Sequence, residues 1–180
     1  GPTWLDTFQA VLPLAEKKQV LLLTPSAEVT ALHHTQPQNI MALTTYFSSS
    51  REVHALMQAL HQAGVRRVIG TYTEEPFFQL LKVLVEEEAK KLGIQILENE
   101  DFDFGNTDFN SFMTRAKRKN PEAILLLQTE EGTVRSFLRA RKQYFPEVIL
   151  AGCQDFEGFL RIPELRAIAH HVTATPGGLG

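Results

Sequence analysis

Residues Gly105–Leu127 read GNTDFNSFMTRAKRKNPEAILLL, and this stretch decides the fold class. Asp108 is placed to cap a helix, because its carboxylate can accept hydrogen bonds from the free N–H groups of a first turn. Phe109, Phe112, Met113 and Ala116 then recur at i, i+3, i+4 and i+7, the spacing of one helical face. Asn120 and Pro121 stop that helix, which the spacing predicts over Phe109–Lys119. Ala123–Leu127 is apolar at every position. A strand needs apolar residues on both faces only when helices cover both sides of its sheet.

Working outward, the same alternation recurs along the chain. Strands are predicted at Val20–Leu23, Ile40–Leu43, Arg67–Gly70, Ile94–Leu97, Ala123–Leu127, Val148–Ala151 and Val172–Ala174. Helices are predicted at Leu5–Lys17, Ser50–Ala63, Phe77–Leu92, Phe109–Lys119 and Glu131–Lys142. The pattern implies βαβ units and an α/β, doubly wound parallel sheet. Ser49 and Glu52 form a candidate capping box. Gly64 and Gly93 are candidate helix C-caps. Pro13 should kink or split the first helix, since it removes an amide donor.

Composition narrows the function. With 180 residues, 43% of them hydrophobic, the chain can bury a core. A net charge of -3 argues against a nucleic-acid surface, and the Arg115–Lys119 cations sit at a helix end where they oppose the dipole. No apolar run is long enough to span a bilayer. The single cysteine, Cys153, excludes an internal disulfide and reads as a small buried hydrophobe. No nucleotide loop or nucleophile motif occurs. The His33-His34 and His170-His171 pairs have no partner at metal-ligand spacing, so no metal or other cofactor is expected. Glu98, Glu100, Asp101 and Asp103 lack the glycine-containing calcium loop and read as a solvated strand edge.

In an open parallel sheet, ligands bind outside the carboxyl ends of the strands. That rule selects Thr24–Glu28, Thr71–Glu75, Gln128–Glu131 and Gly152–Asp155. These loops carry hydroxyls, amides and carboxylates able to hold an amino acid or a similar small polar solute. Polar strand-end residues also serve as caps, and Glu130 fits that role at a helix start.

The order T-D-F, then K, then P-E-A-I over Thr107–Ile124 resembles the leucine-binding type of periplasmic solute-binding protein (the type I fold). Val20-Leu21-Leu22-Leu23-Thr24-Pro25-Ser26-Ala27 is similar to that family's first pocket strand and loop. Ala151-Gly152 and Ala167–Pro176 resemble its later strands. The resemblance runs from Gly1 to about Gly178. It implies two α/β lobes joined by crossovers, closing on a solute in the cleft between them. Residues 1–43 would be a partial first-lobe segment, 44–175 the second lobe and 176–180 a crossover or linker. The matching ligand positions would be Ser26 and Ala27 from the first lobe, and Thr129 and Gln154 from the second. Asp155 adjoins Gln154, and Tyr72 (or Phe77) would stand in for the family's aromatic lid. Glu28, Pro76-Phe77 and Gln154 depart from the usual residues.

The resemblance implies a non-catalytic domain of an ABC-type transporter's substrate-binding protein, located in the periplasm or outside the cell. Its partners would be a small-molecule ligand and a membrane permease, with neither nucleic acid nor membrane insertion. A ligand-sensing domain of a receptor or regulatory protein with the same fold is the alternative; a doubly wound enzyme is a third. No signal peptide is visible, the first residue is not Met, and the chain reads as a piece of a longer protein. Val20–Leu23 is then expected to lack strands to pair with, and half a cleft is expected to bind no solute tightly.

Overall fold

A computed structural model describes residues 3–25, 27, 42–46, 48–128, 130–153, 156, 158–159, 161–166 and 172–174. The chain divides into two units, Gly1–Ser49 and Ser50–Gly180.

In the first unit, helix α1 (Leu5–Lys18) buries Leu5, Phe8, Leu12 and Ala15. It runs unbroken through Pro13, contrary to a split helix. The carbonyl deprived of a donor there belongs to exposed Gln9, where water can serve it. Strands β1 (Leu22–Thr24) and β2 (Ala42–Thr44) form a two-stranded sheet. They pair in parallel, with Leu22 opposite Ala42, Leu23 opposite Leu43 and Thr24 opposite Thr44. The expectation of an unpaired strand at Val20–Leu23 is therefore corrected: β2, from the same chain, supplies its ladder. One face of this sheet packs Leu22 and Ala42 with Phe8 and Leu12. On the other face Leu23 is 51% and Leu43 48% exposed.

The second unit is a five-stranded sheet of order β4-β3-β5-β6-β7. Its strands are β3 (Arg67–Thr73), β4 (Gln95–Phe102), β5 (Ala123–Leu127), β6 (Ile149–Gly152) and β7 (Val172–Ala174). Every neighbouring pair is parallel. Helices α2 (Ser49–Gln62) and α3 (Pro76–Leu92) pack on one face against Val68, Tyr72, Leu125 and Leu127. Helices α4 (Asn110–Lys119) and α5 (Glu131–Tyr144) pack on the other against Ile69, Ile124 and Leu126. This is the doubly wound arrangement, and it explains why β5 is apolar on both faces and wholly buried. A short helix α6 (Pro163–Arg166) follows β6.

The local signals act as chemistry requires. Asp108 Oδ1 accepts from the Asn110 N–H at 3.1 Å, so it serves the first turn of α4 from just outside the helix. Gly64 and Gly93, at φ +87° and +68°, take the left-handed turn that ends α2 and α3. Helix α2 begins at Ser49, one residue before the predicted start at Ser50.

Two strands run further than their apolar cores. β3 continues through Thr73, because Thr71 can spend its hydroxyl on the Leu125 carbonyl at 2.8 Å while staying buried. β4 continues through Phe102 as an edge strand. Its carboxylates are answered across the surface: Glu98 by Arg115 and Lys119, Glu100 by Arg115, and Asp101 by Lys82. Burial pushes the Asp101 carboxyl up, but hydrogen bonds from Gln79 and Lys82 outweigh it and hold it low. Such exposed pairs each contribute about 0–1 kcal/mol. They chiefly keep the open edge charged and unwilling to pair with another strand.

Candidate ligand-binding site

The second unit's chain goes from β3 out to β4, then crosses back to β5 on the other side of β3. β3 and β5 are hydrogen-bonded neighbours whose outgoing connections lie on opposite faces of the sheet. Their carboxyl ends are thus the topological switch point, the place where open α/β sheets hold ligands. Thr73 and Glu74 stand on one side and Gln128 on the other.

Gln128, the first residue after β5, is 2% exposed, and both its Oε1 and its Nε2 lack a hydrogen-bond partner. Two residues on, Glu130 is committed to structure. Its carboxylate accepts from the Gly132 N–H at 2.9 Å and the Thr133 N–H at 2.5 Å, capping α5. Those amides, Gly132 first, hold the carboxyl below the usual range. The capping role expected of Glu130 is the one observed.

At the end of β6, Gly152 lies so close to Phe156 that a Cβ there would come within 2.7 Å of the Phe156 Cβ and 2.8 Å of its ring. The Phe156 N–H bonds back to the Cys153 carbonyl at 2.9 Å, closing the turn after the strand. Cys153 is buried and forms no disulfide.

Tyr72 sits near the end of β3 but faces inward. Its side chain is fully buried among α2 and α3 residues, and its hydroxyl has no hydrogen-bond partner. Burial pushes the phenol well above its ordinary value. A solute could reach Tyr72 only if the ring left the core. Gly70 makes room for it: a Cβ there would meet the Tyr72 hydroxyl at 2.4 Å and the Asn99 Oδ1 at 2.6 Å.

In the first unit, Ala27 is buried and its backbone is already used. Its N–H donates to the Thr24 hydroxyl at 3.0 Å, and its carbonyl accepts from the Thr44 hydroxyl at 2.8 Å. The side chain of Ala27 can offer a solute only a methyl surface. Ser26, Thr129, Gln154 and Asp155 lie outside the described residues, as do both histidine pairs and residues 175–180. Of the six expected residues, the structure describes Ala27 in the first unit and Tyr72 in the second.

Elsewhere, a groove of about 500 Å³ is lined by Arg135, Arg139, Lys142, Gln143, Glu164 and Leu165. It lies between α5 and α6, away from the strand ends. Among the described residues, no group of three or more His, Cys, Asp or Glu is placed to hold a metal ion. None of their helices is long and apolar enough to cross a membrane.

The sequence profile of the family described as "Periplasmic binding protein" matches residues 1–172. No curated protein matches the sequence. Solved structures do. A solute-binding protein of an ABC transporter from Rhodopseudomonas palustris HaA2, in complex with p-hydroxybenzoic acid, superposes with a TM-score of 0.75 at 18% identity, over 95% of this chain and 46% of its own. An ABC transporter substrate-binding protein from Desulfitobacterium hafniense, in complex with Leu, gives 0.70 at 19% identity, over 87% and 46%. A leucine-binding protein from Thermotoga maritima gives 0.69 at 20% identity, over 94% and 46%. At these identities the likeness is one of fold. The chain spans less than half the length of these proteins.

Proposed function

Because the chain belongs to the periplasmic binding protein family, we propose that it is part of a solute-binding protein that hands a small polar molecule to an ABC-type membrane transporter. The reading is that of a binding module in the periplasm or outside the cell, with no chemistry performed on the solute. The single observation that carries the site is the strand order β4-β3-β5-β6-β7, whose switch point falls at the carboxyl ends of β3 and β5. The solutes in two of the similar structures, p-hydroxybenzoic acid and leucine, share a carboxylate. A small carboxylic acid, whether an amino acid or an aromatic acid, is accordingly the proposed solute class. Ser26, Ala27, Thr129, Gln154 and Asp155 remain proposed contacts. Tyr72 is the weakest of the set, since its ring is part of the core.

Such sites enclose most of the ligand surface. A chain spanning under half the length of its structural relatives should bind weakly. A solute with a millimolar Kd, present at tenfold excess, would stabilise the fold by about 1.4 kcal/mol. That corresponds to a melting shift of about 3–6 °C for a chain of this size. A thermal-shift panel of amino acids and aromatic acids tests this. Stabilisation by acids, and none by the matching amides or alcohols, supports the reading. No shift with any acid contradicts it. A submicromolar ligand would show that these 180 residues already enclose a complete pocket.

A further inference from the structure

We propose that the groove between α5 and α6 binds a small anion carrying two or more charged groups, a di- or tricarboxylate or a phosphate ester. The groove lies away from the strand ends, so this site is separate from the solute site proposed above and does not depend on it.

The groove's volume of about 500 Å³ falls within the range of small-molecule sites. Arg135, Arg139, Lys142 and Gln143 of α5 line it at i, i+4, i+7 and i+8, one face of the helix. Leu165 of α6, itself packed in the core, and Glu164 complete the lining. Three cations on one helical face repel one another. Arg139 has Arg135 four residues before it and Lys142 three after, and like charges on neighbouring turns destabilise a helix. The protein relieves only part of this. Glu131 Oε1 accepts from Arg135 at 2.7 Å. Among the described residues, Arg139 and Lys142 have no ion-pair partner, and Glu164 bridges to none of the three. The dipole of α5 favours cations in its last turn, which accounts for Lys142 but not for Arg139 farther in. An anion seated in the groove supplies the complement that these charges lack. From Arg135 to Lys142 the helix rises about 10 Å, more than one carboxylate can reach, so an anion with two or more charged groups fits best. Arg139 can give a carboxylate or phosphate two parallel N–H donors, Lys142 a point charge and Gln143 a carboxamide N–H. Leu165 offers an apolar surface to the ligand's carbon skeleton. Glu164 opposes an anion in the same space, so its charge limits the affinity.

Backbone-amide NMR of the full 180-residue chain tests this, with citrate, pyrophosphate and acetate titrated separately to millimolar concentration at constant ionic strength. The expected result is a saturable shift at residues 135–143 and 164–165 with citrate or pyrophosphate, and none that saturates with acetate. The tighter of the two polyanions tells carboxylate from phosphate chemistry. Arg139, Lys142 and Glu164 are exposed, so their variants should fold, which circular dichroism checks. The double variant Arg139→Gln/Lys142→Gln should bind about 2- to 30-fold more weakly, the loss of two exposed charge pairs. Glu164→Gln removes the opposing carboxylate and should bind about 1.4- to 5-fold more tightly. Equal shifts with acetate and citrate, or shifts centred on the Arg115–Lys119 cations, overturn the proposal. So do a double variant that binds like the parent, a Glu164→Gln variant that binds no more tightly, and the absence of any saturable shift. Shifts confined to residues 73–76, 128–133 and 152–156 would place the anion at the strand ends, overturning this site while supporting the other.

Discussion

Gly152→Ala should unsettle the turn after β6 through one contact. The added Cβ would lie 2.7 Å from Phe156 Cβ and 2.8 Å from Cγ and Cδ1, against the 3.4 Å at which ordinary contact begins. The gap must therefore open by about 0.7 Å. Phe156 is 0% exposed and packed in the α4–α5 core, so it has nowhere easy to go. Overpacking of this kind costs about 1–3 kcal/mol, or roughly 2–12 °C in melting temperature at this size. Unfolding followed by circular dichroism measures it, and a double-mutant cycle identifies the cause. Phe156→Ala alone costs about 3–5 kcal/mol by emptying the core. In that background Gly152→Ala should cost nothing or partly refill the space, giving a coupling of about 1–3 kcal/mol. If Gly152→Ala costs the same with and without the Phe156 ring, the contact is not the reason and the packing account of this turn fails.

Other expectations concern the rest of the chain. Tyr72→Phe removes a buried hydroxyl that has no partner and should raise stability by about 1 kcal/mol; a loss would show that the hydroxyl is bonded. Glu88 is held below the ordinary carboxylate range, first by the Lys91 hydrogen bond and, against the cost of burial, by His54 as well. Because its folded pKa is depressed, its contribution is present above the unfolded value of about 4.3 and is lost as pH falls through the folded value. The urea-midpoint difference between the parent and Glu88→Gln should therefore shrink in acid, and a constant difference from pH 7 to pH 3 would contradict the assignment. Amide exchange should be faster at Leu22–Thr24 than at Ala123–Leu127, since the first sheet has two strands and leaves Leu23 and Leu43 about half exposed; equal protection would mean those side chains are covered in solution.

The centre of the fold was legible and its edges were not. Ala123–Leu127 was read to the residue, because Asn120 and Pro121 mark its start and the first polar side chain marks its end. Hydrophobic pattern undercounts a strand whose polar residues find partners only in three dimensions. Thr71 and Thr73 extend β3 while buried, and the acids of β4 rely on Lys82, Arg115 and Lys119 from two helices. Misjudging the length of β3 also misplaced Tyr72. Once the strand is known to run past Gly70, alternation from inward-facing Val68 puts Tyr72 in the core. Glu130 could be read as a cap because the geometry is local. Gln128 belongs to the strand-end set but not to the residues that the family resemblance selects. A polar residue directly after a strand apolar on both faces was the available signal, but the absence of a partner is a fact of packing.

The most direct test of a strand-end solute site is hydrogen–deuterium exchange of the 180-residue chain with and without saturating 4-hydroxybenzoate, and likewise leucine. The expected result is added protection concentrated at residues 73–76, 128–133 and 152–156, with the β4 edge and the α5–α6 groove unchanged. Protection confined to the groove lined by Arg135, Arg139 and Lys142, or none with either acid, would contradict solute binding at the carboxyl ends of β3 and β5.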